Sequence, residues 1–138
     1  MVTKKKVNDL SYKIIGYAID IHKELGPGLL ESVYEACFVH LLQKNGHSVK
    51  QQNNVKINFK GLELETNLRY DILVDDLIII ELKTVTDIHP VYHAQILSYM
   101  MMLKVPKGIL INFFCENLFR QGQITFVNKY FSQLPDGE

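Results

Sequence analysis

Residues 7–25 place Leu10, Ile14, Ile15, Ala18, Ile19 and Leu25 three to four apart, the spacing of one helix face, and Gly26-Pro27-Gly28 closes the segment. A second apolar face follows at once through Leu29, Leu30, Val33, Tyr34, Cys37, Phe38, Leu41 and Leu42. It carries Glu31 in its first turn and Asn45-Gly46 as a C-cap. From 48 to 59 the period drops towards two, predicting a strand. Lys60-Gly61 turns it into a second strand over 62–74, and Asp75-Asp76 reverses the chain into a third over 77–85. Residues 90–104 return to helix, opened by Pro90 and ended before Pro106. Strands follow at 108–114 and 123–127, and the tail SQLPDGE should be loose. This order predicts an α/β fold with antiparallel hairpins first and a crossover helix later, in a single domain over residues 1–138.

The most apolar segment, IIIELKTV at 78–85, is interrupted by Glu81 and Lys83. In a strand these two share a face, opposite Ile80 and Leu82, while Asp71 alternates with Tyr70, Ile72 and Val74 in the strand before. A two-residue loop at Asp75-Asp76 pairs 71 with 80 and turns Glu81 away. A three-residue loop through Leu77 pairs 71 with 81 and gathers the carboxylates on one face. Directly opposed, with Cβ atoms about 5 Å apart, they repel by about 3 kcal/mol at an effective dielectric of about 20, which something must offset. A divalent cation with hard oxygen ligands does so. The plainer alternative is a salt bridge from Lys83 to either acid.

Lys+Arg and Asp+Glu are equal at 15 each, so only a local basic patch could meet a polyanion. Cys37 and Cys115 form no CxxC or Cys/His spacing, which argues against zinc or iron–sulfur ligation and for reduced thiols in a cytoplasmic chain. No apolar run reaches the roughly 18 residues of a membrane span, and the start MVTKKKVNDL lacks the apolar stretch of a leader, so a soluble, unexported chain is expected.

Taken in order, GLLESVY (28–34), RYD (69–71), IELK (80–83) and AQILSY (94–99) resemble the GxxExxY family, a branch of the PD-(D/E)XK nuclease-like superfamily. The resemblance spans about residues 10–127. It implies a restriction-endonuclease-like core, a mixed sheet of antiparallel hairpin plus parallel strand flanked by helices. It also implies a Mg²⁺- or Mn²⁺-dependent nuclease whose partner is nucleic acid, DNA first, with a homodimer left open and no membrane contact. Carried over by residue, Asp71, Glu81 and the Leu82 carbonyl would hold the metal. Lys83 would orient or deprotonate water and stabilise the transition state. Glu31 would be a third carboxylate, and Gln95 and Tyr99, one helical turn apart, would reach the site or a phosphate. Tyr70 stands where the superfamily's namesake motif has Pro.

Each residue also has a structural reading. Glu31 suits a helix first turn in any protein. Tyr34 reads as core with a satisfied hydroxyl, Gln95 and Tyr99 as border residues, Arg69 as counter-ion to the acids, and Met100–Met102 as core filler. His89 and His93 are four apart but share no obvious carboxylate ligand, so the histidines read as packing or surface groups, His22 being the nearest to a candidate. Two other functions therefore stand beside the nuclease: a nuclease-fold module that binds without cutting, and a phosphodiesterase on a small substrate.

Overall fold

The computed structural model describes residues 1–138. Helices α1 (Lys4–Leu25) and α2 (Glu31–Lys44) precede strands β1 (Val49–Gln51), β2 (Asn54–Phe59), β3 (Leu62–Arg69), β4 (Ile72–Val74) and β5 (Ile78–Lys83). Then come α3 (Pro90–Leu103), β6 (Lys107–Asn112), α4 (Leu118–Gln121), β7 (Gln123–Val127) and α5 (Lys129–Ser132). Five strands form one sheet in the order β1-β4-β5-β6-β7, and β2-β3 form a separate hairpin. Only β5 and β6 run parallel, as the crossover through α3 requires. This is the restriction-endonuclease-like mixed α/β fold expected.

The sheet separates two cores. Ile72, Val74, Ile78, Ile80, Leu82, Ile109 and Ile111 face α1 and α2, meeting Ile14, Tyr34, Phe38 and Leu42. Leu73 and Ile79 face α3 on the other side, meeting Ile96, Tyr99 and Met100. Alternation therefore places Asp71 and Glu81, in phase with Leu73 and Ile79, on the α3 face. Helix α3 comes close because Gly108 has no side chain; a Cβ there would lie 2.7 Å from the Met100 sulfur.

Two segments read as single strands are each divided. The 48–59 run breaks at Gln52, whose φ is 50°, so β1 joins the main sheet and β2 leaves it. The 62–74 run breaks at Tyr70-Asp71, where the chain returns from hairpin to sheet. Nor is the C-terminal tail loose: the carbonyls of Pro135 and Asp136 accept from the Lys4 and Lys5 N–H groups at 2.8 and 3.0 Å, satisfying donors that a helix start leaves open. Met100 is core, as read, but Met101 and Met102 are surface residues.

Candidate active site

The turn after β4 decides the site. Val74 pairs with Ile78 and Ile72 with Ile80, so the loop is the three residues 75–77 and, one step on, Asp71 stands opposite Glu81. Asp75 and Asp76 both take left-handed φ angles (52° and 55°), which Asp tolerates better than most residues. Their carboxylates are held from β1's side: Asp75 accepts from the Ser48 N–H at 2.8 Å and lies 3.0 Å from His47 Nδ1, and Asp76 accepts from Lys50 at 2.8 Å.

At the other end of the hairpin the acids interlock. The Asp71 N–H donates to Glu81 Oε1 (3.2 Å), and the Leu82 N–H donates to Asp71 Oδ2 (2.8 Å). In an extended strand a residue's N–H and C=O point to the same side, so the Leu82 carbonyl faces Asp71 as well. Glu81 is only 8% exposed. Burial, the negative charge of Asp71 and their side-chain hydrogen bonding push its carboxyl up to about 9, against the opposing pull of the Asp71 N–H and Lys83. One carboxyl of the pair thus carries a proton at neutral pH.

Lys83 does not neutralise either acid. None of the ion pairs in the structure includes it; its Nζ instead lies over the Tyr92 ring of α3, 4.1 Å from the centroid. The salt-bridge alternative is therefore not what the fold adopts. Arg69 is exposed at the end of β3 and pairs with neither acid, so it is no counter-ion.

Helix α3 sets Tyr99 over the pair. Burial raises its phenol, and the charges of Glu81 and Asp71 raise it further. Gln95 lies one turn earlier, half-buried, joined to the group through the helix it shares with Tyr99. Glu31 approaches from the exposed first turn of α2. Partial desolvation raises its carboxyl, Lys83 counters this, and Asp71 and Glu35 add to it, so it lies within electrostatic reach of the site. It does not close a cage: no three His, Cys, Asp or Glu side chains converge tightly enough to enclose a cation by themselves. The donor set that fits a divalent ion is Asp71, Glu81 and the Leu82 carbonyl, three hard oxygens with open positions left over, the pattern of an ion that also binds water and phosphate.

Tyr34 is structural, as its packing reading held. It is fully buried, stacks on Phe113 at 4.1 Å, donates to the Gly26 carbonyl at 2.6 Å and accepts from the Leu29 N–H at 3.2 Å. Those bonds fix the Gly26-Pro27-Gly28 corner that delivers Glu31. His22 supports the same wall, 2.8 Å from the Cys115 carbonyl. Three site residues were missed from the sequence: Tyr92, Glu35 and Gln52. Glu35 lies one turn after Glu31, the one signal that was visible; nothing local marks Tyr92 or Gln52.

The fold and the paired acids define a nuclease-like α/β domain with an ExK strand facing its hairpin partner. The chain belongs to the PD-(D/E)XK nuclease superfamily, whose family model matches residues 8–124. That membership suggests a nuclease-like function, and the superfamily's nucleases typically use divalent metal ions. Among solved structures, the crystal structure of SSO0001 is similar at 19% identity and a TM-score of 0.49, covering 70% of this chain and 49% of that one. The chain thus spans about half the length of that structure. No curated protein matches the chain.

Proposed function

We propose that this chain is a metal-dependent nuclease of the GxxExxY branch, hydrolysing nucleic-acid phosphodiester bonds, DNA first. The observation that carries the reading is the Asp71–Glu81 pair: two carboxylates set face to face, Glu81 nearly dry and Asp71 half-buried, with the nearest ammonium held away on an aromatic ring. Such a pair is unfavourable unless a proton or a cation sits between the acids. Mg²⁺ or Mn²⁺ held by Asp71, Glu81 and the Leu82 carbonyl would polarise the phosphoryl oxygen and acidify a bound water. Lys83 supplies the positioned cation for charge developing on the phosphate. Glu31 orients water at the mouth, and Gln95 and Tyr99 present donors to the phosphate from α3. The free thiols of Cys37 and Cys115 suit a reducing, cytoplasmic setting.

The test is incubation with linear, circular, single-stranded and branched substrates plus Mn²⁺, comparing wild type with Lys83→Ala. Cleavage by wild type alone supports the reading; equal inertness on every substrate removes catalysis. A second reading, a nuclease-fold module that binds without cutting, is favoured by Lys83 resting on Tyr92 and by the zero formal net charge. Metal titration separates the two, because the enzyme takes up Mn²⁺ and loses it on Asp71→Asn, whereas a binding module need not take it up.

A further inference from the structure

We propose that Gln52, backed by Glu35, is a positioning residue that holds Asp71 in ligand geometry; the inference rests on the metal-site reading above and deepens it. Gln52 stands where the chain leaves the main sheet for the β2-β3 hairpin, in the left-handed region at φ 50°, a conformation non-glycine residues adopt at a cost of order 1–3 kcal/mol. The surrounding bonds hold it there. Its main-chain N–H donates to the Asp71 carbonyl at 3.1 Å. Its side-chain NH₂ donates both to Asp71 Oδ1 at 3.2 Å and to Glu35 Oε1 at 2.8 Å. The second Glu35 oxygen accepts from Gln51 at 2.9 Å.

The chemistry of this chain of bonds is specific. An amide NH₂ has two hydrogens and no acceptor capacity, so it satisfies one oxygen on each of two carboxylates at once. Asp71 is then restrained at three atoms: Oδ1 by the Gln52 side chain, Oδ2 by the Leu82 N–H, and its carbonyl by the Gln52 N–H. Without Gln52 the Asp71 carboxylate loses its Oδ1 donor and keeps only the Leu82 N–H and its bonding to Glu81, the very partner that metal uptake must deprotonate. Glu35 acts one step further out, fixing the amide so that its second hydrogen meets Asp71. Partners of this kind, hydrogen-bonded to a ligating carboxylate, typically account for 10–100-fold in metal affinity.

The substitution Gln52→Gly removes the side chain while glycine accepts φ 50° freely, so side-chain loss is separated from backbone strain. Mn²⁺ affinity measured by calorimetry is expected to fall about 10–100-fold, with the melting temperature of the metal-free protein held or raised. Glu35→Ala should weaken Mn²⁺ binding in the same direction, and Glu35→Gln, which keeps an oxygen for the Gln52 amide, should restore most of that loss. Asp71→Asn is the reference for the site itself. If wild type binds Mn²⁺, Asp71→Asn does not, and Gln52→Gly stays within twofold of wild type, the positioning role is overturned and the metal site stands. If wild type and Asp71→Asn are equally indifferent to Mn²⁺, the metal-site reading falls and takes this inference with it.

Discussion

Glu81→Gln should make the metal-free protein more stable, and the size of the gain follows from how the carboxyl is held. An unfolded chain carries Glu81 with an ordinary value near 4.5, whereas the folded chain holds it at about 9. Between those values the folded state keeps a proton that the unfolded state has released. Stability is therefore fully present below about pH 4.5, declines as pH rises, and levels off above about pH 9. At about 1.4 kcal/mol per pH unit, the penalty at pH 7 is about 3 kcal/mol. Glutamine keeps the shape and the oxygen that accepts from the Asp71 N–H, but has no proton to lose. The variant should match wild type at pH 5 and exceed it at pH 7 by up to about 3 kcal/mol, roughly 10 °C in melting temperature for a chain of this size. The assay is thermal or urea unfolding in EDTA from pH 5 to 9. Parallel curves for the two proteins across that range would refute the reasoning, since they would mean that Glu81 ionises as readily folded as unfolded.

Three further outcomes follow from the same geometry. Metal uptake must expel the Glu81 proton, so Mn²⁺ affinity should rise close to tenfold per pH unit from pH 6 towards pH 9; a flat profile by calorimetry would contradict a protonated ligand. Lys83→Ala should lower cleavage about a hundredfold or more while leaving Mn²⁺ affinity within a few-fold of wild type, because the ammonium lies on Tyr92 and not on the acids; joint loss of both would give Lys83 a part in the metal site. Tyr34→Phe keeps the stack on Phe113 but strands the Gly26 carbonyl and Leu29 N–H, and should destabilise by about 1–3 kcal/mol in urea unfolding; an unchanged midpoint would show that the corner holds without the hydroxyl.

The helices and the acid-bearing hairpin were legible because each carries its own punctuation. Gly26-Pro27-Gly28, Asn45-Gly46, Lys60-Gly61 and Pro90 mark ends by backbone chemistry that does not depend on distant contacts. The register at Asp75-Asp76 was narrowed to two choices by alternation, and the structure takes the one that gathers the acids. What could not be read is where a strand changes sheets. Neither Gln52 nor Tyr70-Asp71 interrupts the period of two, and neither carries Gly or Pro, so one continuous strand and two strands in different sheets look alike in sequence. Glu35 and Gln52 went unnoticed for a related reason, since their bonds join α2 to a junction whose existence the pattern hides. The tail was misread because the donors it satisfies lie at the opposite end of the chain.

The β2-β3 hairpin departs from the main sheet at Gln52 and rejoins it at Asp71, and those two residues are bonded to each other across the gap. Between them Val55 is fully buried in the core beneath α3, which pins the base of the hairpin to the scaffold. Its exposed outer part can drift, or be exchanged by engineering, with little consequence for the five-stranded sheet, while any force applied to its tip is delivered at the foot to the very carboxylate that would carry the ion.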